Sequence, residues 1–194
     1  MQVYRLSKTG LNTWLQALQK EGELIAPVME DVVRFKSLAN ISDIYLKHNA
    51  YFPLKEYFFA QQETLFRFDG EKFVQPKQQI KKRMFFGIRR CDLNAISHQD
   101  IVFAEVNDPY YLAKRKNTTL IGYHCNSAPS KYCFCGSLQL KEFFDLMVYD
   151  KKNHFLVEVG TDKGKAMIKQ HQKLFIKTDQ LITEKENIFL VQTV

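Results

Sequence analysis

Apolar side chains recur at helical spacing near the start of the chain, at Leu11, Trp14, Leu15 and Leu18. This spacing predicts a helix with one buried face, and we expect the single Trp to lie in the core. Ser7 or Thr9 is placed to cap this helix, and Gly22 is placed to end it. Two short runs then follow, residues 23–28 and 31–35, and their pattern predicts a hairpin of strands.

Two continuous apolar runs in the middle of the chain predict buried strands. They span residues 84–88 and 119–123. Between them, Asp92 is expected to cap one helix, and Asp108 followed by Pro109 is expected to begin a second. The resulting order of strand, helix, helix, strand is typical of an open α/β sheet.

The remaining pattern completes the predicted fold. Residues 153–160 alternate like a strand, and residues 161–168 predict a turn that leads into a helix. We therefore predict an α/β fold, with a mixed sheet, flanking helices and cysteine-bearing loops at strand ends. We expect one domain over residues 1–194, divided into an aromatic-rich part at 1–75 and a cysteine-bearing core at 83–165.

The segment from residue 44 to residue 74, here the aromatic segment, carries nine aromatic side chains. Its pattern predicts a helical turn started by Pro53 and a hairpin over residues 64–73 that turns at an Asp-Gly pair. Such a density is typical of flavin or nucleotide sites, but burial under a loop is the role we expect for most of these rings. Residues 75–79 predict an exposed linker, and residues 175–194 an amphipathic stretch.

All four cysteines of the chain lie within the cysteine-bearing core: Cys91, Cys125, Cys133 and Cys135. Cys91 and Cys125 each follow one of the two buried strands, and the tripeptide Cys-Phe-Cys comes soon after. In open α/β sheets, the loops beyond the carboxyl ends of neighbouring strands share one crevice. We therefore expect all four sulfur atoms to reach one point.

Composition narrows what these thiols can do. With 194 residues, 45% of them hydrophobic, the chain is long enough for a substantial core. No apolar run approaches the roughly 20 residues that span a bilayer, and the first residues lack a signal-peptide core, so we expect a cytoplasmic protein without a membrane span. In that reducing compartment a thiol cluster favours metal binding or catalysis over disulfides. The net charge of +7 is dispersed, so nucleic acid is not an expected partner.

Spacing alone leaves three possibilities open for the four thiols: an iron–sulfur cluster, zinc, or no metal. A cluster would use two distant thiols and one close pair, whereas ferredoxin motifs place their cysteines close together in one run of sequence. Structural zinc sites favour two Cys-x2-4-Cys hooks, and only one close pair exists here, spaced by a single residue. Hydrolases and thiol oxidoreductases are disfavoured, because their Gly-x-Ser-x-Gly, His-Glu-x-x-His and Cys-x-x-Cys motifs are absent.

Polar residues beside the thiols are secondary candidates. Asp92 is a reserve carboxylate ligand as well as the predicted helix cap. His98 and His124 are placed to tune a cluster from its surroundings, or to satisfy ordinary surface and core positions. Arg89 and Arg90 are placed to offset the charge of a thiolate-bound cluster, to face an acidic partner, or simply to lie in solvent.

Several stretches resemble one family in serial order: residues 52–59, 64–68, 86–96, 108–111, 121–125, 133–135 and 155–160. The resemblance covers roughly residues 50–165. It is to the amino-terminal domain of the iron–sulfur beta subunit of sulfhydrogenase-type nickel–iron hydrogenases, a domain that one of the subunits of anaerobic sulfite reductases shares.

The resemblance implies an electron-transfer subunit or domain of a multi-subunit oxidoreductase. Its partners would be flavin-containing and catalytic oxidoreductase subunits, and its cofactor one iron–sulfur cluster of the 4Fe-4S type. The ligands would be Cys91, Cys125, Cys133 and Cys135. The alternatives are a docking or assembly module that keeps the fold without a cluster, and a zinc-stabilised structural domain.

The chain also departs from the family pattern. We find no ferredoxin-like motif with two Cys-x-x-Cys-x-x-Cys-x-x-x-Cys-Pro runs, and we expect a fragment or a shortened relative that lacks this carboxy-terminal domain. The family's Arg-Pro-Cys-Asp-Leu is Arg-Arg-Cys-Asp-Leu here, so Arg90 replaces a proline. The glycines and proline that tend to follow the family's Cys-x-Cys are replaced by Ser137, Leu138 and Gln139.

Overall fold

The computed structural model describes residues 2–76 and 80–183 and contains, within them, ten strands and four α-helices. The strands are β1 (Gln2–Ser7), β2 (Glu23–Met29), β3 (Val33–Ser37), β4 (Arg67–Phe68), β5 (Phe73–Val74), β6 (Arg83–Ile88), β7 (Thr118–Tyr123), β8 (Leu146–Asp150), β9 (His154–Val159) and β10 (Phe175–Thr178). The helices are α1 (Lys8–Glu21), α2 (Arg90–Glu105), α3 (Pro109–Lys116) and α4 (Asp162–Gln170). The predicted first helix, the β2–β3 hairpin and the order β6, α2, α3, β7 are confirmed.

Eight of these strands form one sheet in the order β10-β1-β9-β8-β7-β6-β2-β3. The four inner strands β8, β7, β6 and β2 run parallel, and the remaining neighbours pair antiparallel. This confirms the predicted α/β class with a mixed sheet. Because β6 and β7 are adjacent and parallel, the segments that follow them leave the sheet at the same edge.

Helices cover both faces of this sheet. Successive residues of a strand point to opposite faces, so Phe86 of β6 packs with α1 and α4 whereas Phe85 packs with α2 and α3. Trp14 of α1 is fully buried, as predicted, and meets the ring of Phe175 edge to face at 5.2 Å between centroids. No helix within residues 2–76 and 80–183 is long and apolar enough to cross a membrane.

The boundaries of α1 follow from its flanking residues. Ser7 precedes the helix in an extended conformation, and its Oγ accepts a hydrogen bond from the amide of Gly10 at 2.9 Å. This satisfies one of the amides that a helix leaves unpaired in its first turn. At the other end, the amide of Gly22 donates to the carbonyl of Leu18 at 3.2 Å. The predicted cap and stop are thus confirmed.

The aromatic segment forms the predicted elements but does not bury most of its rings. A 3-10 turn at Leu54–Tyr57 follows Pro53, and β4 and β5 pair as the predicted hairpin. The expected burial is wrong for six of the nine rings, which are exposed: Tyr51, Phe52, Phe59, Phe66, Phe68 and Phe73. The hairpin pairs only with itself, and all four residues of its strands are exposed.

Two other sequence predictions fall partly beyond the described residues. In the expected linker, Gln75 is exposed, whereas residues 77–79 lie outside the described residues. The amphipathic stretch at the end of the chain begins with β10, and its part from residue 184 onwards also lies outside them.

Candidate functional site

The four cysteines line one pocket beside the ends of β6 and β7, here the cysteine pocket. Cys91 is the second residue of α2, Cys125 lies just after β7, and Cys133 and Cys135 lie on the loop that follows. The pocket encloses about 430 Å³, including the part open to solvent. All four side chains are partly buried free thiols. The structure therefore brings the four predicted ligands to one place.

The pairing of β6 with β7 explains this convergence. Phe85 lies opposite Leu120 in the parallel register, and Ile88 lies opposite Gly122. The register shifts at Gly87, whose φ of +85° falls where only glycine is comfortable.

The same glycine lets a second segment approach the pocket edge. A Cβ on Gly87 would lie 2.8 Å from Leu46 Cδ2 and 3.0 Å from Pro27 Cδ. Bare backbone at this position therefore allows Leu46 and the residues after it to pack against the end of β6.

The surroundings of the thiols favour their protonated forms. Burial raises the pKa of Cys91 to about 12, and the neighbouring Asp92 carboxylate and the other thiols add to the shift. Burial also raises the pKa of Cys125, although the Arg89 guanidinium opposes it. The pKa of Cys135 is raised by burial and by Cys133. These three thiols are therefore weak nucleophiles at neutral pH unless a bound cation displaces their protons.

Two arginines form a buried positive wall of the cysteine pocket. Arg89 is 5% exposed and Arg90 is 8% exposed, so neither the solvated pair nor the partner-facing pair considered from the sequence exists. Arg89 Nη2 donates to the carbonyl of Leu46, and its guanidinium lies over the ring of Tyr123 at 5.4 Å.

Arg90 is held from the opposite side by acceptors on two further segments. Its Nη1 donates to Glu142 Oε1 at 2.5 Å, and its Nη2 donates to the hydroxyl of Tyr149 at 3.5 Å. Tyr149 in turn donates to Glu158 Oε2 at 2.8 Å. Tyr149 belongs to β8 whereas Glu142 lies on the segment before it, so the guanidinium is held by both the sheet and this segment.

Asp92 is not the cap of α2, which corrects the sequence prediction. The helix begins at Arg90, and Arg89 occupies the position before it, so Asp92 is the third helical residue. The amide of Leu93 already donates to the carbonyl of Arg89 at 3.0 Å, which closes the first turn before an Asp92 cap could act. Burial raises the pKa of Asp92 to about 6, against the influence of Arg89.

The two candidate histidines occupy different environments. His124 is buried, lines the cysteine pocket and packs its ring on Tyr149 with centroids 5.0 Å apart. His98 is exposed on α2 and does not line the pocket. Of the two, only His124 is brought to the thiols.

Asn49 lines the cysteine pocket although the sequence analysis did not single it out. Its segment is tied across the pocket, because His48 Nδ1 lies 3.4 Å from the carbonyl of Pro129. Asn49 Oδ1 is buried without a hydrogen-bond partner among the described residues, and Arg90 Nε shares this condition. No local sequence pattern points to Asn49, since only the tertiary fold carries it to the thiols.

The donor set fits an anionic, thiolate-bound group better than a single ion. Among residues 2–76 and 80–183, no group of three or more His, Cys, Asp or Glu side chains is placed to hold one metal ion. The four thiols share the pocket without forming such a compact site. They are soft sulfur donors beside the buried guanidinium of Arg89, whose charge favours an anionic partner, whereas the charge of Arg90 is already balanced by Glu142.

Comparison with known proteins finds a distant relative. The sulfhydrogenase 2 subunit beta of Pyrococcus furiosus is 26% identical to this chain over 181 residues, which cover 90% of this chain and 53% of that protein. The chain thus spans about half the length of the curated relative that it matches. No protein-family model matches the chain, and no solved structure matches it. The identity and its coverage support a distant relation to the sulfhydrogenase beta subunit.

Proposed function

We propose that this chain is an electron-transfer iron–sulfur subunit or domain of a multi-subunit oxidoreductase of hydrogenase or sulfite-reductase type. It would pass electrons between a flavin or NAD(P) subunit and a catalytic subunit. The observation that carries the proposal is that every cysteine of the chain lines one pocket, although the four come from three separate segments. The distant relation to a sulfhydrogenase beta subunit supports the same role.

In this proposal the cluster ligands are Cys91, Cys125, Cys133 and Cys135, with Asp92 as a reserve carboxylate. A bound 4Fe-4S cluster supplies one-electron redox chemistry at this place. The thiols must lose their protons to bind it. Because three of their pKa values are raised, deprotonation is unfavourable in the absence of metal. The affinity of the pocket for the cluster is therefore expected to fall as pH decreases.

The chain's own residues supply the positive surroundings that such an anionic group needs. Arg89 lines the pocket as a buried cation, and Arg90 lines it as a buried cation already paired with Glu142. The amino terminus of α2 lies beside them and adds the positive end of a helix dipole. Because these groups are fixed by the fold, no side chain has to reorganise when the pocket gains or loses one negative charge.

A cluster-free docking or assembly module is the second candidate function. It is favoured by large apolar side chains that are exposed around the close thiol pair: Tyr132, Phe134 and Leu138. Exposed apolar residues grouped on a loop are typical of an interaction surface. A zinc-stabilised domain is the weaker form of this alternative, because the described residues offer no compact single-ion site.

Iron and acid-labile sulfide analysis tests the proposal, together with electron paramagnetic resonance after dithionite reduction of anaerobically purified protein. We expect about four irons and four sulfides per chain and a reduced-cluster signal. Single Cys→Ser replacements at the four positions should each lower the iron content or alter this signal. Phe134→Ser is the matched control, because it changes the loop between two ligands, keeps every thiol, and should retain iron.

The alternatives give different results in the same measurements. Zinc in place of iron would support the structural domain, and a well-folded sample that binds no metal after anaerobic reconstitution would support the docking module. Either result would reject the electron-transfer role.

A further inference from the structure

Two residues that line the cysteine pocket each carry a polar atom that is buried without a hydrogen-bond partner among the described residues. These atoms are Arg90 Nε and Asn49 Oδ1. Both residues line the pocket, yet one lies at the start of α2 and the other on the segment that precedes the 3-10 turn at Leu54–Tyr57. Buried polar groups in native proteins nearly always find partners. Trp14, Gln99 and His171 carry such atoms elsewhere in the described residues, but Arg90 and Asn49 come from separate segments and share one cavity that a bound group can fill.

Arg90 cannot satisfy its Nε–H by swinging into solvent. The residue is 8% exposed, and its two terminal nitrogens are engaged by Glu142 at 2.5 Å and by Tyr149 at 3.5 Å. Those contacts leave Nε–H as the part of the guanidinium without a partner. It is a donor only, so the group that satisfies it must present an acceptor.

The Asn49 amide can face the pocket in either of two orientations. A half-turn about the last side-chain bond places Nδ2, a hydrogen-bond donor, where Oδ1 lies. Its segment is held near the pocket, because Leu46 accepts from Arg89 and His48 lies against Pro129. The Asn49 amide is thus carried to the pocket by backbone that is tied down on the preceding residues.

Resting on the proposed function, we propose that Arg90 Nε and the Asn49 amide donate hydrogen bonds to sulfur atoms of the cluster and raise its reduction potential. Reduction adds one electron, taken from the external donor, and so adds negative charge to those sulfur atoms. N–H donors stabilise the more negative state most, which shifts the equilibrium toward reduction. Both residues are positioning residues, since the thiolates alone would bind the iron.

Arg90 occupies the first position of α2, where proline is well tolerated. Arg89 before it is already extended, as a residue before proline must be. Arg90→Pro therefore removes the guanidinium while preserving the start of the helix.

Redox titration of the reconstituted protein, followed by electron paramagnetic resonance, tests the proposal. We expect Arg90→Pro and Asn49→Leu each to lower the equilibrium constant for one-electron reduction about tenfold, a shift of 59 mV to lower potential. Asn49→Leu changes no charge, so its shift isolates the hydrogen bond. Arg90→Lys keeps the charge and loses the Nε donor, and we expect it to shift the potential in the same direction.

Lys131→Met is the matched control, because it removes an exposed cation near the close thiol pair without removing a buried donor. Because solvent screens an exposed charge, the reduction potential of the cluster in Lys131→Met should equal that of the wild type. A second readout is electron–nuclear double resonance after exchange into D₂O. In the wild type this method should detect exchangeable protons coupled to the cluster. Part of that proton signal should be missing in Arg90→Lys and Asn49→Leu.

The outcomes separate this proposal from the proposed function. A wild-type cluster with unchanged potentials and proton couplings in Asn49→Leu and Arg90→Lys would overturn the hydrogen bonds and leave the electron-transfer role intact. Absence of a cluster in the wild type would overturn both. If Arg90→Pro does not hold its cluster, the other two variants still decide the matter.

Discussion

The cysteine pocket and the aromatic segment both depart from the usual burial of their residue types, but the fold treats them in opposite ways. In the pocket, Arg89 and Arg90 are buried although arginine is usually solvated. In the aromatic segment, six rings are exposed although aromatic side chains are usually buried. The pocket lies beside the ends of the parallel strands β6 and β7, whereas Phe68 and Phe73 belong to a hairpin that pairs only with itself. Residue type alone therefore does not decide burial.

Truncation of single rings measures this contrast within the aromatic segment. Phe58 is 1% exposed and packs on Phe85, whereas Phe73 is 75% exposed. Phe58→Ala should lower the free energy of unfolding by about 3–5 kcal/mol. Phe73→Ala should change it by less than about 0.5 kcal/mol. Urea unfolding of the metal-free protein provides both values. An equal loss in the two variants would mean that Phe73 is buried in solution, and the comparison would fail.

Substitution of one glycine in each region tests how tightly the backbone is packed there, with Gly87 beside the cysteine pocket and Gly70 in the aromatic segment. Gly87 and Gly70 both have positive φ, at 85° and 103°, but a Cβ on Gly87 would meet Leu46 and Pro27 whereas one on Gly70 would meet nothing within 4 Å. Gly87→Ala should cost about 1–3 kcal/mol from backbone strain, with further loss from overpacking. Gly70→Ala should cost about 1 kcal/mol from strain alone.

Iron content adds a second readout to this glycine pair. Gly87→Ala should disturb the end of β6, shortly before Cys91, and lower the iron content, whereas Gly70→Ala should leave it at the wild-type level. Anaerobic reconstitution followed by iron analysis checks both. Full iron loading in Gly87→Ala would show that the pocket does not depend on the close packing at Gly87.

Tyr57 lies in the part of the aromatic segment that is hydrogen-bonded to the main sheet. Its hydroxyl donates to the carbonyl of Phe35 at 2.7 Å, and Tyr57→Phe should cost about 1 kcal/mol at neutral pH. Burial, with Glu56 and Glu23, raises the pKa of Tyr57 to about 12, although Arg83 opposes the shift.

The raised pKa of Tyr57 also predicts a pH dependence. Between the ordinary value of 10 and about 12, the folded chain holds a proton that the unfolded chain has lost. Stability should therefore fall as pH rises through this range, and Tyr57→Phe should show a shallower decline. Unfolding curves at several pH values above 9 measure it, and identical declines in both proteins would contradict the assignment.

The sequence predicted the parts of the site that depend on local pattern. The apolar runs located β6 and β7, and the position of Cys91 and Cys125 just after them placed the thiols, because the ends of parallel neighbours meet. Asp92 has the side chain of a cap but lies inside α2, so the predicted start of this helix is a few residues too late. Pattern thus located the elements more reliably than their first residues.

The rest of the site depends on long-range contacts that no local pattern reveals. Asn49 reaches the pocket because the amide of Tyr45 donates to the carbonyl of Pro27 at 2.8 Å, and because Leu46 meets Gly87 and Arg89. The burial of Arg90 likewise requires Glu142 and Tyr149, far along the chain. Such contacts are fixed by tertiary packing, and composition gives no sign of them.

The parallel pairing of β6 with β7 also sets an order of events for the site. Cys91 and Cys125 meet only after the crossover through α2 and α3 has closed, which is a slow, non-local step of folding. A peptide that spans residues 121–137 carries three of the thiols but lacks Cys91 and the lining residues Asn49, Arg89, Arg90 and Leu140. A group held by all four thiols therefore requires that this crossover has formed.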